Sequence, residues 1–233
     1  MKKIFLLGDE SVNKELKTLL GKDWQIAGKL DNSAELIIDS SNFPLQKKLD
    51  NIKFIDEHCS NSIPVLTSSI CVTVSEQCSF SKFPGRLAGL GLYDTFTTSK
   101  LLELAPSKIT DQAIIKSASE FFTKIKLNFT VVPDRTGLVF PRILAMIINE
   151  ASQVYSENTA SREDIDTAMK LGTNYPFGPL EWADKIGIDL VYNILLSMQR
   201  DLGEDRYRPH PVLKEMVNLN QLGVKTGRGF YEY

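Results

Sequence analysis

Lys3-Ile4-Phe5-Leu6-Leu7-Gly8, followed by Ser11-Val12-Asn13-Lys14-Glu15-Leu16-Lys17-Thr18-Leu19-Leu20, is the stretch on which the fold turns. A short apolar run that ends in glycine reads as a buried strand. Val12, Leu16, Leu19 and Leu20 then share one helix face, with Ser11 as the expected N-cap and Gly21 as the stop. Working outward, residues 24–30 predict a second strand and Glu35-Leu36-Ile37-Ile38-Asp39 a third, with further apolar runs at 63–66 and 87–92. Strands alternating with helices predict a parallel α/β sheet.

Beyond about residue 131 the pattern changes. Val131-Val132-Pro133-Asp134-Arg135-Thr136-Gly137 reads as a turn-rich link, and Leu138, Ile143, Ile147, Ala151 and Val154 form a helical stripe. Ser161-Arg162-Glu163-Asp164 opens a second helix with a capping-box-like pattern, closed by Gly172. Asp189 is placed to cap a third helix, and Pro211 sits where a first-turn proline belongs in a fourth. The expected division is therefore an α/β domain over 1–130 and an all-helical domain over 131–233.

Composition narrows the function classes. Hydrophobic residues make up 42% and charged residues 24% of the 233, the profile of an ordinary globular chain rather than a disordered one. A net charge of -2 argues against a broad electrostatic grip on nucleic acid. No apolar run reaches the ~20 residues that cross a bilayer. The basic start, Met1-Lys2-Lys3, leads into too short an apolar stretch for a signal peptide. The expectation is a cytoplasmic protein with no membrane partner. Cys59, Cys71 and Cys78 lack paired metal-ligand spacing and read as reduced thiols, so no metal site is expected. Only two histidines occur, His58 and His210.

Several longer motifs carry a resemblance. Asp164-Ile165-Asp166-Thr167-Ala168-Met169-Lys170-Leu171-Gly172, Tyr175-Pro176-Phe177-Gly178-Pro179-Leu180-Glu181, Asp184-Lys185-Ile186-Gly187-Ile188-Asp189 and the ending Gly223-Val224-Lys225-Thr226-Gly227-Arg228-Gly229-Phe230-Tyr231 follow in order. Together they resemble the C-terminal domain of 3-hydroxyacyl-CoA dehydrogenases. In the first part, Ala34 to Asp39 is similar to that family's fourth Rossmann strand, and Thr67-Ser68-Ser69 to its substrate-side loop. Arg86 to Glu103 is similar to the segment carrying its catalytic pair. The resemblance implies a reduced Rossmann-like, NAD-binding-type domain joined to a helical dimerisation domain. It also implies an acyl-CoA-like ligand, and chemistry in which a base takes the hydroxyl proton as hydride passes to NAD. Imidazole suits that role because its pKa lies near neutrality, and a carboxylate orients it.

The sequence departs from the family at the positions that matter most. The family's His-Phe-Phe-Asn-Pro falls on Gly91-Leu92-Tyr93-Asp94-Thr95, so the catalytic base is glycine. Its carboxylate partner falls on Glu103, twelve residues further on. The substrate-side serine maps to Ser68 and the substrate-side asparagine to Pro141. Ser68 also reads as a strand-end cap, and Glu103 as an inherited residue without its histidine. Of the glycine-rich fingerprint only Gly8 remains, while Glu10 brings a negative charge to the place of a diphosphate. Asp31 lies 23 residues after Gly8, near the distance of a ribose-binding acid; alignment on Gly21 puts Gly28 there instead. Only about ten residues separate the second and third strands, an interval in which the family places an extra strand and a helical excursion.

Two functions follow from the resemblance. One is a catalytically impaired relative that binds an acyl-CoA-like ligand or a partner; the other is an active NAD-dependent enzyme interconverting 3-hydroxyacyl-CoA and 3-oxoacyl-CoA.

Overall fold

The computed structural model describes residues 2–99 and 101–233. Two compact units divide between Leu138 and Val139.

In the first unit, strand β1 (Lys2–Leu7) leads into helix α1 (Glu10–Leu19), and β2 (Trp24–Ile26) follows. Next come β3 (Leu36–Asp39), α2 (Leu45–His58), β4 (Val65–Ser68) and the short α3 (Val74–Cys78). Strands β5 (Leu87–Leu90) and β6 (Leu102–Pro106), helix α4 (Gln112–Lys124) and β7 (Phe129–Val131) complete the unit. Among the described residues these seven strands form one sheet in the order β2-β1-β3-β4-β5-β6-β7. All neighbours are parallel except β5 and β6. This is a Rossmann-like sheet with its switch point between β1 and β3.

Burial explains the strand sequences. Leu36, Ile37 and Ile38 in β3 and Val65 and Leu66 in β4 are each at most 2% exposed, because helices cover both faces of a parallel sheet. The sheet ends at β2, whose residues pair only with β1. No helix lies between β2 and β3; the link bonds directly to β1 through Ala27 N–H to Ile4 O and Glu35 N–H to Lys3 O, both 2.8 Å. The short interval in the sequence therefore becomes a tight crossing beside an exposed edge.

Several local expectations shift by a few residues. Helix α1 starts at Glu10 with Asp9 as N-cap, two residues before Ser11, because Gly8 takes φ +100° and turns the chain at once. Strand β2 stops at Ile26. The segment 131–138 lies with the first unit: Asp134 accepts from Val74 N–H at 2.9 Å and Ser75 N–H at 2.8 Å, and Gly137 N–H donates to Ile70 O at 2.7 Å.

The second unit is helical: α5 (Phe140–Ser156), α6 (Arg162–Thr173), α7 (Pro179–Ile186), α8 (Ile188–Leu202) and α9 (Pro211–Asn218). Ser161 caps α6 as expected, accepting from Asp164 N–H at 3.1 Å. The helix runs past Gly172 and ends on Asn174 in the left-handed region. Gly187, rather than Asp189, is the N-cap of α8. Among the described residues no helix is long and apolar enough to cross a membrane.

Candidate functional site

In an open α/β sheet the ligand crevice lies beyond the carboxyl ends of the strands, where strand order reverses. Here that region is bounded by the segments following β1, β3, β4 and β5. Ser68 ends β4 there and is 1% exposed. Its Oγ donates to Asn42 Oδ1 at 2.6 Å, and Asn42 Nδ2 donates to Leu92 O at 2.8 Å. Asn42 follows β3 and is 2% exposed, so three strand ends are joined by buried hydrogen bonds. Burial in a low-dielectric site strengthens such bonds and makes their loss costly.

Gly91 and Glu103 meet across β5 and β6, where Gly91 N–H donates to Glu103 O at 3.0 Å. A Cβ at Gly91 would lie 3.5 Å from Glu103 Cβ and 3.2 Å from Leu138 Cδ1. Position 91 therefore directs a side chain toward Glu103, and Leu138 would give way by a few tenths of an ångström. Glycine places nothing there that could accept a proton. Tyr93, also buried, is pushed up to about 12 by its burial, with Glu103 and Glu15 adding to the rise and a Ser99 hydrogen bond opposing it. Its phenol stays protonated at neutral pH.

Each histidine makes its hydrogen bonds within its own unit. His58, at the end of α2, places Nδ1 2.8 Å from Phe54 O. His210 caps α9, with Val212 N–H donating to Nδ1 at 3.4 Å. Pro141 stands in the first turn of α5, buried and without a side-chain donor.

The turn after β1 packs closely at Gly8. A Cβ at Gly8 would lie 2.4 Å from Ser41 N, so the turn touches the segment after β3. Ser40 Oγ accepts from Asp9 N–H at 2.8 Å and donates within reach of Leu7 O at 3.0 Å and Asn13 Oδ1 at 2.9 Å. Asp9 and Glu10 then set two carboxylates at the positive end of α1. Asp31 lies apart from this, exposed in the link between β2 and β3. Its carboxylate accepts from Ser33 N–H at 2.8 Å, and hydrogen bonding from Ser33 holds it below the usual carboxylate range.

The sequence reading missed a buried ion pair beneath these strand ends. Lys48 on α2 donates to Asp39 Oδ2 at 2.9 Å and to Thr67 Oγ1 at 2.6 Å; Lys48, Asp39 and Thr67 are 0% exposed. Thr67 passes the chain on to Gln77 Oε1 at 2.8 Å. Burial opposes the Asp39 charge, but the Lys48 ammonium outweighs it and holds the carboxyl below its usual range; burial pulls Lys48 down as well. Leu45, Lys48, Ile52 and Ile55 share a helical stripe, and that spacing was the available signal. Asn42 and Glu15, both used here, carried none. Among the described residues no group of three or more His, Cys, Asp or Glu is arranged to hold a metal ion.

Comparison with known proteins agrees with this architecture. Residues 137–233 match the family model of the 3-hydroxyacyl-CoA dehydrogenase C-terminal domain. A 3-hydroxybutyryl-CoA dehydrogenase of Clostridioides difficile is 36% identical over 199 residues, covering 85% of this chain and 71% of that protein. The mitochondrial hydroxyacyl-coenzyme A dehydrogenase of Homo sapiens is 30% identical over 227 residues, covering 97% of this chain and 72% of that protein. The crystal structure of (S)-3-hydroxybutyryl-CoA dehydrogenase from Ralstonia eutropha shares the fold at a TM-score of 0.81 and 22% identity, covering 100% of this chain and 99% of that one. With a Rossmann-like sheet, a helical unit carrying the family's motifs, and such identity over most of its length, the chain belongs to the 3-hydroxyacyl-CoA dehydrogenase family.

Proposed function

We propose that this chain is a catalytically impaired member of its family, one that binds an acyl-CoA-like ligand at the Ser68, Asn42 and Glu103 end of the sheet. The observation that carries the reading is Gly91: the position aimed at Glu103 holds no imidazole. Loss of a general base costs about a hundred- to ten-thousand-fold in rate. A dinucleotide fits the β1–α1 turn poorly. Ser40 occupies the first amide there, the turn abuts Ser41, and the Glu10 carboxylate opposes a diphosphate. The competing reading, an active NAD-dependent dehydrogenase, draws on Glu103 and Ser68 being present and on the similarity to dehydrogenases.

The test is NADH-dependent reduction of acetoacetyl-CoA by the unmodified protein and by Gly91→His, with acetoacetyl-CoA binding followed by calorimetry. Binding without turnover in either protein is expected. Turnover in the unmodified protein above a heat-killed control overturns the impaired reading. Turnover in Gly91→His alone would keep the missing base and overturn the cofactor part.

The same reading includes a homodimer through the helical unit. It is supported by an apolar groove of about 700 Å³ lined by Met146, Ile147, Ala151, Val154, Ile165 and Met169. Ile147→Glu is expected to halve the mass measured by light scattering; an unchanged mass would remove this groove from the interface.

A further inference from the structure

Ser68, the candidate substrate-side residue, is 1% exposed, so something roofs it. Its roof is the segment after β5. Gly91 is tied to Glu103, and Leu92 O then accepts from Asn42, which belongs to the segment after β3. Beyond it, Glu15 on α1 accepts from Thr95 N–H at 2.9 Å and Thr97 N–H at 3.0 Å, and from the Thr97 hydroxyl. In the sheet, β5 stands three places from β1, the strand that leads into α1. Strands about 4.8 Å apart make that span about 14 Å. Hydrogen bonds to Asn42, Ser68 and Glu15, with a turn in which Phe96 N–H donates to Tyr93 O at 3.1 Å, carry the segment as a strap past the carboxyl ends of β4 and β3, where an open sheet holds its ligand.

The strap's path belongs to this sequence. Thr95 takes φ +68°, a region that a β-branched residue enters only at a cost. The family motif has proline at this position, and proline, locked near -65°, cannot follow the same path.

We infer that the strap, residues 91–97, is a gate over Ser68 and Asn42, and that the Glu15 carboxylate is the clasp that holds it shut against an acyl-CoA-like ligand. The inference rests on the proposed binding function, and it adds how that site is regulated. A ligand that binds only the open form sees its affinity reduced by the open fraction, so releasing the clasp must raise apparent affinity. Strain at Thr95 works in the same direction as release, which keeps the closed form from being permanent.

The experiment compares the full chain with Glu15→Ala and with Thr95→Pro. The first removes the clasp, and the second imposes the backbone angle the clasp forbids. Acetoacetyl-CoA binding is measured by calorimetry and stopped flow, beside amide hydrogen exchange at Thr97, whose N–H bonds to Glu15 and remains present in both variants. Faster exchange with about tenfold or more tighter binding and a faster on-rate is expected in both variants. A merely structural bond would leave binding unchanged or weaken it as stability falls. Faster exchange with equal binding overturns the gate alone, and unchanged exchange overturns the clasp. Absence of binding in all three proteins overturns the acyl-CoA reading together with the gate.

Discussion

The helical unit and the sheet unit carry the same ancestry in different ways. In the helical unit the motif residues are absorbed by architecture. Asp166 accepts from Leu180 N–H at 2.8 Å and Glu181 N–H at 2.9 Å, and Asp184 from Phe230 N–H at 2.9 Å and Tyr231 N–H at 2.8 Å. These carboxylates terminate helix and tail amides, a requirement that holds whether or not the protein turns over substrate. In the sheet unit the resemblance thins at Gly91, at the β1–α1 turn and at the interval before β3, all places where side chains would serve chemistry or a cofactor. The packing motifs stand where the fold needs them. Beneath its strand ends the sheet unit holds its own buried polar network, centred on Lys48 and Asp39.

The strongest way to break that comparison is Lys48→Met. It leaves the Asp39 charge buried without its partner, and a loss of about 3–5 kcal/mol is expected in chemical denaturation. Adding Asp39→Asn should recover part of it. A silent Lys48→Met would mean the network contributes nothing to the sheet unit's stability.

Next in size is Gly223→Ala in the helical unit. Gly223 takes φ +90°, and a Cβ would lie 2.2 Å from Asp184 O, a backbone atom that cannot rotate away. About 2–3 kcal/mol should be lost from positive-φ strain and overpacking. If the loss were negligible, the ending motif would not be a packing requirement.

The smallest effect is on pH dependence, and it has opposite signs in the two units. Asp39 is held below its usual range, so its contribution is present above the unfolded carboxylate value, about 3.9, and is lost as pH falls through its folded value. Asp184 is raised by burial, its hydrogen bonds from Tyr231 and Phe230 only partly opposing this. Its contribution is complete below the unfolded value and lost as pH rises through the folded one. The chain has two tryptophans, Trp24 in the sheet unit and Trp182 in the helical one, so Trp182→Phe and Trp24→Phe variants report each unit separately. Acidification from pH 7 to about 4 should raise the Trp182 transition relative to the Trp24 transition, with the latter falling at lower pH. Parallel shifts would show that these two carboxylates do not dominate their units.

By itself the sequence determined the alternation of strand and helix around Gly8, the helical second part, and the family, because each rests on spacing between near neighbours in the chain. It also located Gly91, Glu103 and Ser68 along the sequence. Tertiary structure alone decided that β2 is the sheet edge beside β1, that Lys48 is spent on Asp39, and that the segment after β5 lies over Ser68 and fastens to Glu15. Each of these joins residues far apart in sequence: Glu15 and Thr95 are separated by 80 positions. A local pattern states which face of a helix or strand is apolar. It does not state which distant donor will meet a carboxylate on the other face, because that depends on strand order and on the packing that sets it.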